Sequence, residues 1–157
     1  MSEPAEVKAD LIPYSPEYAG QVQSWIDTPE TYLDLARSSD FPPPPDIVDA
    51  WQREGVTSYL LFSHNHPVAY AELWERPVEL AVEVCHLLVD PLRRGKGYGA
   101  KMLHLLYDRA RRRRGIAIVT INLFGQNETA LGCFLNAGFE VAGTSKYAEG
   151  LRLVRRT

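Results

Sequence analysis

Cysteine and methionine are scarce, with two of each in 157 residues. Cys85 and Cys133 stand far apart and form no CxxC pair. That excludes a disulfide scaffold and a zinc knuckle, and it points to a reducing compartment, so a cytoplasmic protein is expected. Long apolar runs are also missing. None approaches the roughly 18 residues of a membrane helix, so no membrane partner is expected. The opening residues, MSEPAEVKAD, are acidic and hold no apolar signal-peptide core. Internal repeats and low-complexity segments are absent. Hydrophobic residues are nonetheless plentiful at 45%, with 24% charged, which excludes wholesale disorder. The length suits one domain over residues 1–157, with the first eight a flexible N-terminus.

The net charge is −3, but its placement is uneven. Residues 1–90 carry 4 basic and 16 acidic side chains, and residues 91–157 carry 13 and 4. Such asymmetry speaks of partners rather than of fold. The C-terminal half is expected to face an anion and the N-terminal half a cation.

Patterning predicts a short strand over 9–14 and a helical stretch over 16–26. Thr28 followed by Pro29 reads as an N-cap and first helical position, opening a helix to about Arg37. Asp46 is placed to cap a short helix that Gly55 ends. Strands follow over 56–63, 67–74 and 80–89. The turns between them, HNH and ERPVE, are short enough for an antiparallel meander. Residues 97–114 read as a long helix with Gly99, Met102, Leu103, Leu106 and Ala110 on one stripe. The run 116–124 is nearly all apolar, as for a strand covered on both faces. A helix over 127–137 and strands over 139–144 and 151–154 close the chain. The order implies an α+β fold, a central mixed, mostly antiparallel sheet flanked by helices.

The most informative stretch is VCHLLVDPLRRGKGYGAKMLHLL, residues 84–106. A strand enters a turn with glycine at 95, 97 and 99, and a helix begins there. Glycine lets backbone N–H groups approach a ligand closely, and the helix N-terminus adds unpaired N–H groups and partial positive charge. Arg93, Arg94 and Lys96 add full charges where the helix dipole alone would disfavour them. Together they make a site for phosphate or pyrophosphate. The Walker pattern is absent. Gly95, Gly97 and Ala100 fit a loose G-x-G-x-x-A pattern, but no acidic residue lies within 109–127 to hold a ribose, so dinucleotide binding is the weaker reading.

These residues resemble motif A of the GNAT superfamily of N-acetyltransferases, [RQ]-x-x-G-x-[GA], filled by Arg94, Gly97 and Gly99. A second stretch, NETALGCFLNAGF over 127–139, resembles the family's N-x-x-A-x-x-x-Y-x-x-x-G-F. The likeness is good over about 56–154 and extends to 9–55 by element order alone. It implies a GNAT-like fold in which the strand before motif A splays from its neighbour and acetyl-CoA lies in the gap. Leu87, Leu88 and Val89 would offer backbone groups to the pantetheine, one of them polarising the thioester carbonyl. Arg93, Arg94, Gly95, Lys96, Gly97, Tyr98, Gly99 and Ala100 would wrap the pyrophosphate. Asn127 and Ala130 would flank the pantetheine, with Phe134 near the sulfur. Acetyl-CoA is the implied co-substrate, and no metal is expected.

Direct attack on a thioester needs a neutral amine, whereas a lysine-like amine has a pKa near 10.4. A base must take the proton, directly or through water. Glu83, eleven residues before Arg94, matches the spacing of the base glutamate in one branch of the family. Glu72, on the preceding strand, is the rival, and a hairpin turning at 75–78 would set the two carboxylates face to face. The chain departs from the family at Phe134, where tyrosine usually protonates the leaving thiolate. Tyr98, Tyr147, Cys133 or water are the substitutes. His64 and His66 read as a hairpin loop, and His86 as a buried strand histidine. Arg111 to Arg114 read as cations at a helix C-terminus rather than a nucleic-acid patch. The acidic segment 14–55, with Trp25, Tyr32, Phe41 and Trp51, suits a cationic amine acceptor, although its rings serve equally as core. An acyl-CoA sensor without turnover and a nucleotide-cofactor oxidoreductase are the other readings, and a homodimer stays open.

Overall fold

The computed structural model describes residues 7–125, 127–145 and 150–157. Among them, the strands are β1 (Asp10–Pro13), β2 (Val56–Ser63), β3 (His66–Arg76), β4 (Ala81–Val89), β5 (Ile118–Phe124), β6 (Glu140–Thr144) and β7 (Gly150–Arg156). The helices are α1 (Ala19–Ser24), α2 (Pro29–Ala36), α3 (Ile47–Trp51), α4 (Tyr98–Ala110) and α5 (Glu128–Asn136). The strands form one sheet in the order β1-β2-β3-β4-β5-β7-β6. Every pairing is antiparallel except β4 with β5. None of the described helices is long and apolar enough to cross a membrane.

Local chemistry explains most boundaries. The Thr28 hydroxyl accepts from the Thr31 N–H at 3.1 Å with Pro29 behind it, and Arg37 ends α2 in the left-handed region at φ 54°. His64 and Asn65 both have positive φ, which makes a two-residue turn whose twist matches the β2–β3 hairpin. Some expected boundaries move. Asp46 stands at the start of α3 without a side-chain cap bond, and α3 stops at Trp51, so Gly55 (φ 82°) turns the chain into β2 instead. Residues 111–115 form turns, and α4 ends at Ala110.

Two cores lie on opposite faces of the sheet, because strand side chains alternate. The larger joins Met102, Leu103, Leu106 and Ala110 of α4 to Ala71, Leu73, Val82, Val84, Val119 and Ile121. The stripe read from the sequence is this face of α4. The second packs Val22, Trp25, Tyr32, Val48 and Trp51 from the first three helices against Leu60, Tyr70 and Leu88. Trp25 is 3% and Trp51 9% exposed, so these rings serve as core and leave no open aromatic cage.

Candidate active site

β4 and β5 pair only along residues 81–84 and 118–121. Beyond that point the two strands part, and residues 85–89 of β4 are left bonded on the β3 side alone. The opening continues into a cleft of about 850 Å³ between the ends of the two strands, the glycine turn, α5 and α2. The chain leaves β4 through Asp90, whose carboxylate accepts from the Leu92 N–H at 3.0 Å, and turns into α4 before β5 begins.

The glycine turn forms the floor. Gly97 has φ 87°, and a Cβ built there would sit 3.2 Å from Val7 Cγ2. At Gly99 a Cβ would meet Cys133 Sγ at 3.3 Å. No side chain caps the first turn of α4, so its N–H groups remain without a side-chain acceptor. Arg93 lines the cleft, and its Nε is buried with no hydrogen-bond partner, 3.6 Å from Asp90 Oδ2. Arg94 is tied down elsewhere. Its Nε donates to the Val89 carbonyl at 3.2 Å and its Nη2 to the Trp25 carbonyl at 3.3 Å, beside Asp27 at 3.6 Å. Its side chain therefore braces the turn against α1.

Most predicted residues meet in this cleft. Glu83, residues 87–89, Arg93, Arg94, Gly95, Tyr98 to Ala100 and Gly97 line it, as do Asn127, Ala130 and Phe134. Lys96 and Glu72 do not. Of the basic side chains after residue 90, Arg93 and Arg94 alone line it among the described residues, so the charge split is mostly a property of other surfaces. Asn127 caps α5, accepting from the Ala130 N–H at 3.0 Å and donating to Asp34 of α2 at 3.3 Å. That bond joins the two walls. Among the thiolate donors, Tyr98 donates its hydroxyl to Ser63 at 3.1 Å. Burial pushes the Cys133 thiol up to about 11, a weaker acid than an ordinary thiol. Tyr147 lies outside the described residues.

The two glutamates do not face each other. The turn falls at residues 77–79, so Glu83 stands opposite Trp74 and Glu72 opposite Cys85. Glu83 is gripped by Arg76, Nη2 to Oε1 at 2.8 Å and Nε to Oε1 at 3.0 Å, while Asn122 Nδ2 donates to Oε2 at 2.9 Å. The fully buried Glu72 accepts from the Tyr70 hydroxyl, from Trp74 Nε1 at 2.7 Å and from His86 Nδ1 at 2.8 Å. His86 is what sequence reasoning missed. Between residues 70 and 72 the β3–β4 register slips, because β4 carries one extra residue there, and His86 takes φ 52°. A bulge of this kind re-aims a side chain. The His86 ring lines the cleft, stacked on Trp51 at 3.9 Å with Trp74 edge-on at 5.8 Å.

Comparison with known proteins decides the family. The model of the acetyltransferase (GNAT) family matches residues 21–139. The chain belongs to that family. This acetyltransferase resembles, in fold, the aminoglycoside acetyltransferase AAC(6')-Ib in complex with coenzyme A and kanamycin, at 18% identity over 95% of each chain and a TM-score of 0.77. It also resembles the ribosomal L7/L12 α-N-protein acetyltransferase RimL in complex with coenzyme A, at 16% identity over 94% of this chain and 93% of that one, TM-score 0.76. A third is spermidine N-acetyltransferase from Vibrio cholerae with CoA and spermine, at 10% identity over 94% and 95%, TM-score 0.77. No curated protein matches the acetyltransferase sequence at a significant level.

Proposed function

We propose that this chain moves an acetyl group from acetyl-CoA to a primary amine by direct attack, with both substrates in the cleft at once. The carrying observation is the half-paired end of β4 facing the glycine turn. Residues 87–89 have no strand partner on the cleft side, although the Val89 carbonyl already accepts from Arg94, and an extended pantetheine would bond there as an added strand. One of their N–H groups would hold the oxygen of the thioester carbonyl as charge develops on it. The pyrophosphate suits the backbone of the turn from Arg93 to Ala100, beside the Arg93 guanidinium, which is ion-paired to Asp90 at 3.6 Å. Asn127 and Ala130 would flank the pantetheine, and Phe134 would pack near the sulfur. With a phenyl ring there, the thiolate leaves without a tyrosine proton, which its modest basicity allows.

The acceptor enters from the side of α2. Asp34 and Glu128 line the cleft and favour a cation, while Glu83 is already paired with Arg76 and the buried rings of the second core no longer contribute to that preference. Kanamycin and spermine, held by two of the similar structures, each carry several amines. The test is thiol release from acetyl-CoA with spermine, kanamycin and a peptide bearing a free α-amine, beside calorimetric titration with acetyl-CoA and NAD(H). Turnover on at least one amine is expected. Tight acetyl-CoA binding with no thiol release would favour a sensor, and NAD(H) binding without acetyl-CoA binding an oxidoreductase.

A further inference from the structure

Two buried carboxylates sit beside the cleft, and one of them, Glu72, holds a histidine that lines it. Both oxygens of Glu83 are engaged, Oε1 by the Arg76 guanidinium and Oε2 by the Asn122 amide. An acceptor amine would have to displace one of those partners to reach it. Glu72 is fully buried and collects three donors, from Tyr70, Trp74 and His86. Its three partners are all groups that can donate to a carboxylate. The carboxylate in turn orients the imidazole. In the neutral ring with its hydrogen on Nδ1 toward Glu72 Oε1, Nε2 carries the lone pair. Trp51 stacks on the ring and Trp74 meets it edge-on, and the residue lines the cleft with its side chain 12% exposed.

The backbone supports a functional reason for this placement. His86 holds φ 52° inside a strand, a left-handed conformation that disfavours residues other than glycine. Strain of this kind concentrates at functional sites. Without the bulge, a strand alternates faces, and residue 86 would point away from Glu72, which shares its face with Cys85.

We propose that His86, oriented by Glu72, is the general base that takes the proton from the acceptor amine in place of Glu83. This deepens the transfer reading above and rests on it. In the step, the amine nitrogen forms a bond to the carbonyl carbon as the carbon–sulfur bond breaks and the electron pair leaves on the CoA sulfur. The ammonium proton passes to His86 Nε2, and the imidazolium faces the Glu72 carboxylate as an ion pair. The imidazolium then loses its proton to water and the thiolate gains one from water, so charge and protons balance. An orienting carboxylate behind a base is the arrangement that nucleophilic enzymes reach on unrelated folds.

The other titratable groups around the ring are Tyr70 from β3 and Cys85 and Glu83 from β4, while α3 presents the Trp51 ring. Burial first, then the Glu72 charge, pushes the Tyr70 hydroxyl far up. Burial first, then the Glu83 and Glu72 charges, does the same to the Cys85 thiol. Both stay protonated between pH 5 and about 9 and do not shape a rate profile there.

The test measures kcat against pH with acetyl-CoA plus spermine or kanamycin, for the parent and for His86→Gln, Glu72→Gln and Glu83→Gln. Acetyl-CoA affinity from calorimetry reports folding of each variant. The parent rate should rise with pH through a single limb. His86→Gln should lose that limb and about 10²–10⁴ in kcat, with acetyl-CoA affinity kept. Glu72→Gln should keep a limb but move it to lower pH, because the imidazolium loses its counter-charge, and should lower the plateau. Glu83→Gln should leave the limb in place. Parental kcat in His86→Gln, or loss of the limb in Glu83→Gln alone, overturns the assignment while the transfer reading stands. Should the parent acetylate no amine at all, both fall.

Discussion

The two halves of β4 belong to one nine-residue strand but do different work. Residues 81–84 are paired on both sides, to β3 and to β5, and their side chains alternate between the α4 core and the Arg76–Glu83 pair. Residues 85–89 are paired on one side and carry a bulge, a strained histidine and backbone groups open to a cleft. The closed half makes the sheet continuous. The open half has its geometry imposed from outside, by the glycine turn behind it and by Glu72 beneath it. A strand can thus be rigid where it is shared and chemically available where it is not. What separates the halves is where β5 stops following.

That contrast can be broken from the open side. Gly97→Val should abolish acetyl-CoA binding, a fall of more than about 100-fold, because a β-branched residue resists φ 87° and its Cβ would press on Val7 at 3.2 Å. Circular dichroism should still report a folded sheet. Undiminished calorimetric binding would move the pyrophosphate elsewhere. From the closed side, Leu106→Ala should cost about 2–5 kcal/mol of stability, since Leu106 is fully buried in the core that also holds Val82 and Val84. Urea unfolding measures it, and acetyl-CoA affinity should change little. A large loss of affinity there would mean the halves are coupled.

Two smaller effects sharpen the comparison. Raising salt to 0.5 M should weaken acetyl-CoA binding by only about 2–5-fold, because Arg93 and Arg94 are the basic side chains of the C-terminal half that line the cleft, and Arg94 is already paired. A fall of a thousandfold would bring the remaining cations back into the site. Phe134→Tyr should hold turnover steady or raise it slightly. The ring is 7% exposed and lines the cleft, the side on which room for an added hydroxyl is expected. Steady-state thiol release decides this, and a collapse of turnover would show that the ring has no room at its tip.

Much of this was written locally. Thr28 and Pro29 set the start of α2, the positive-φ pair His64 and Asn65 set a hairpin, and the stripe through Met102, Leu103 and Leu106 set the buried face of α4. Each depends on neighbours within four residues, so hydrophobic spacing and turn chemistry suffice. The glycine turn and the matched motif at 127–139 are local in the same sense, and they located the cleft.

Other features were settled only when distant strands met. The sequence offered Glu72 and Glu83 as facing rivals. Register set them two positions apart, gave one to Arg76 and Asn122, and bound the other to His86 through a bulge that no spacing announces. Trp25, Tyr32 and Trp51 were equally suited to a core or a cation cage, and the packing of the first three helices on Leu60, Tyr70 and Leu88 chose the core. The C-terminal half was expected to face an anion, yet among the described residues Arg93 and Arg94 are the cations of that half that line the cleft. By itself the sequence determined which segments become helix or strand, and where the glycine turn opens α4. Tertiary structure decided which carboxylate is paired, which histidine faces the cleft and where β4 parts from β5. A one-residue slip in strand pairing turns every later side chain to the other face, and that slip is fixed by contacts between residues far apart in the chain.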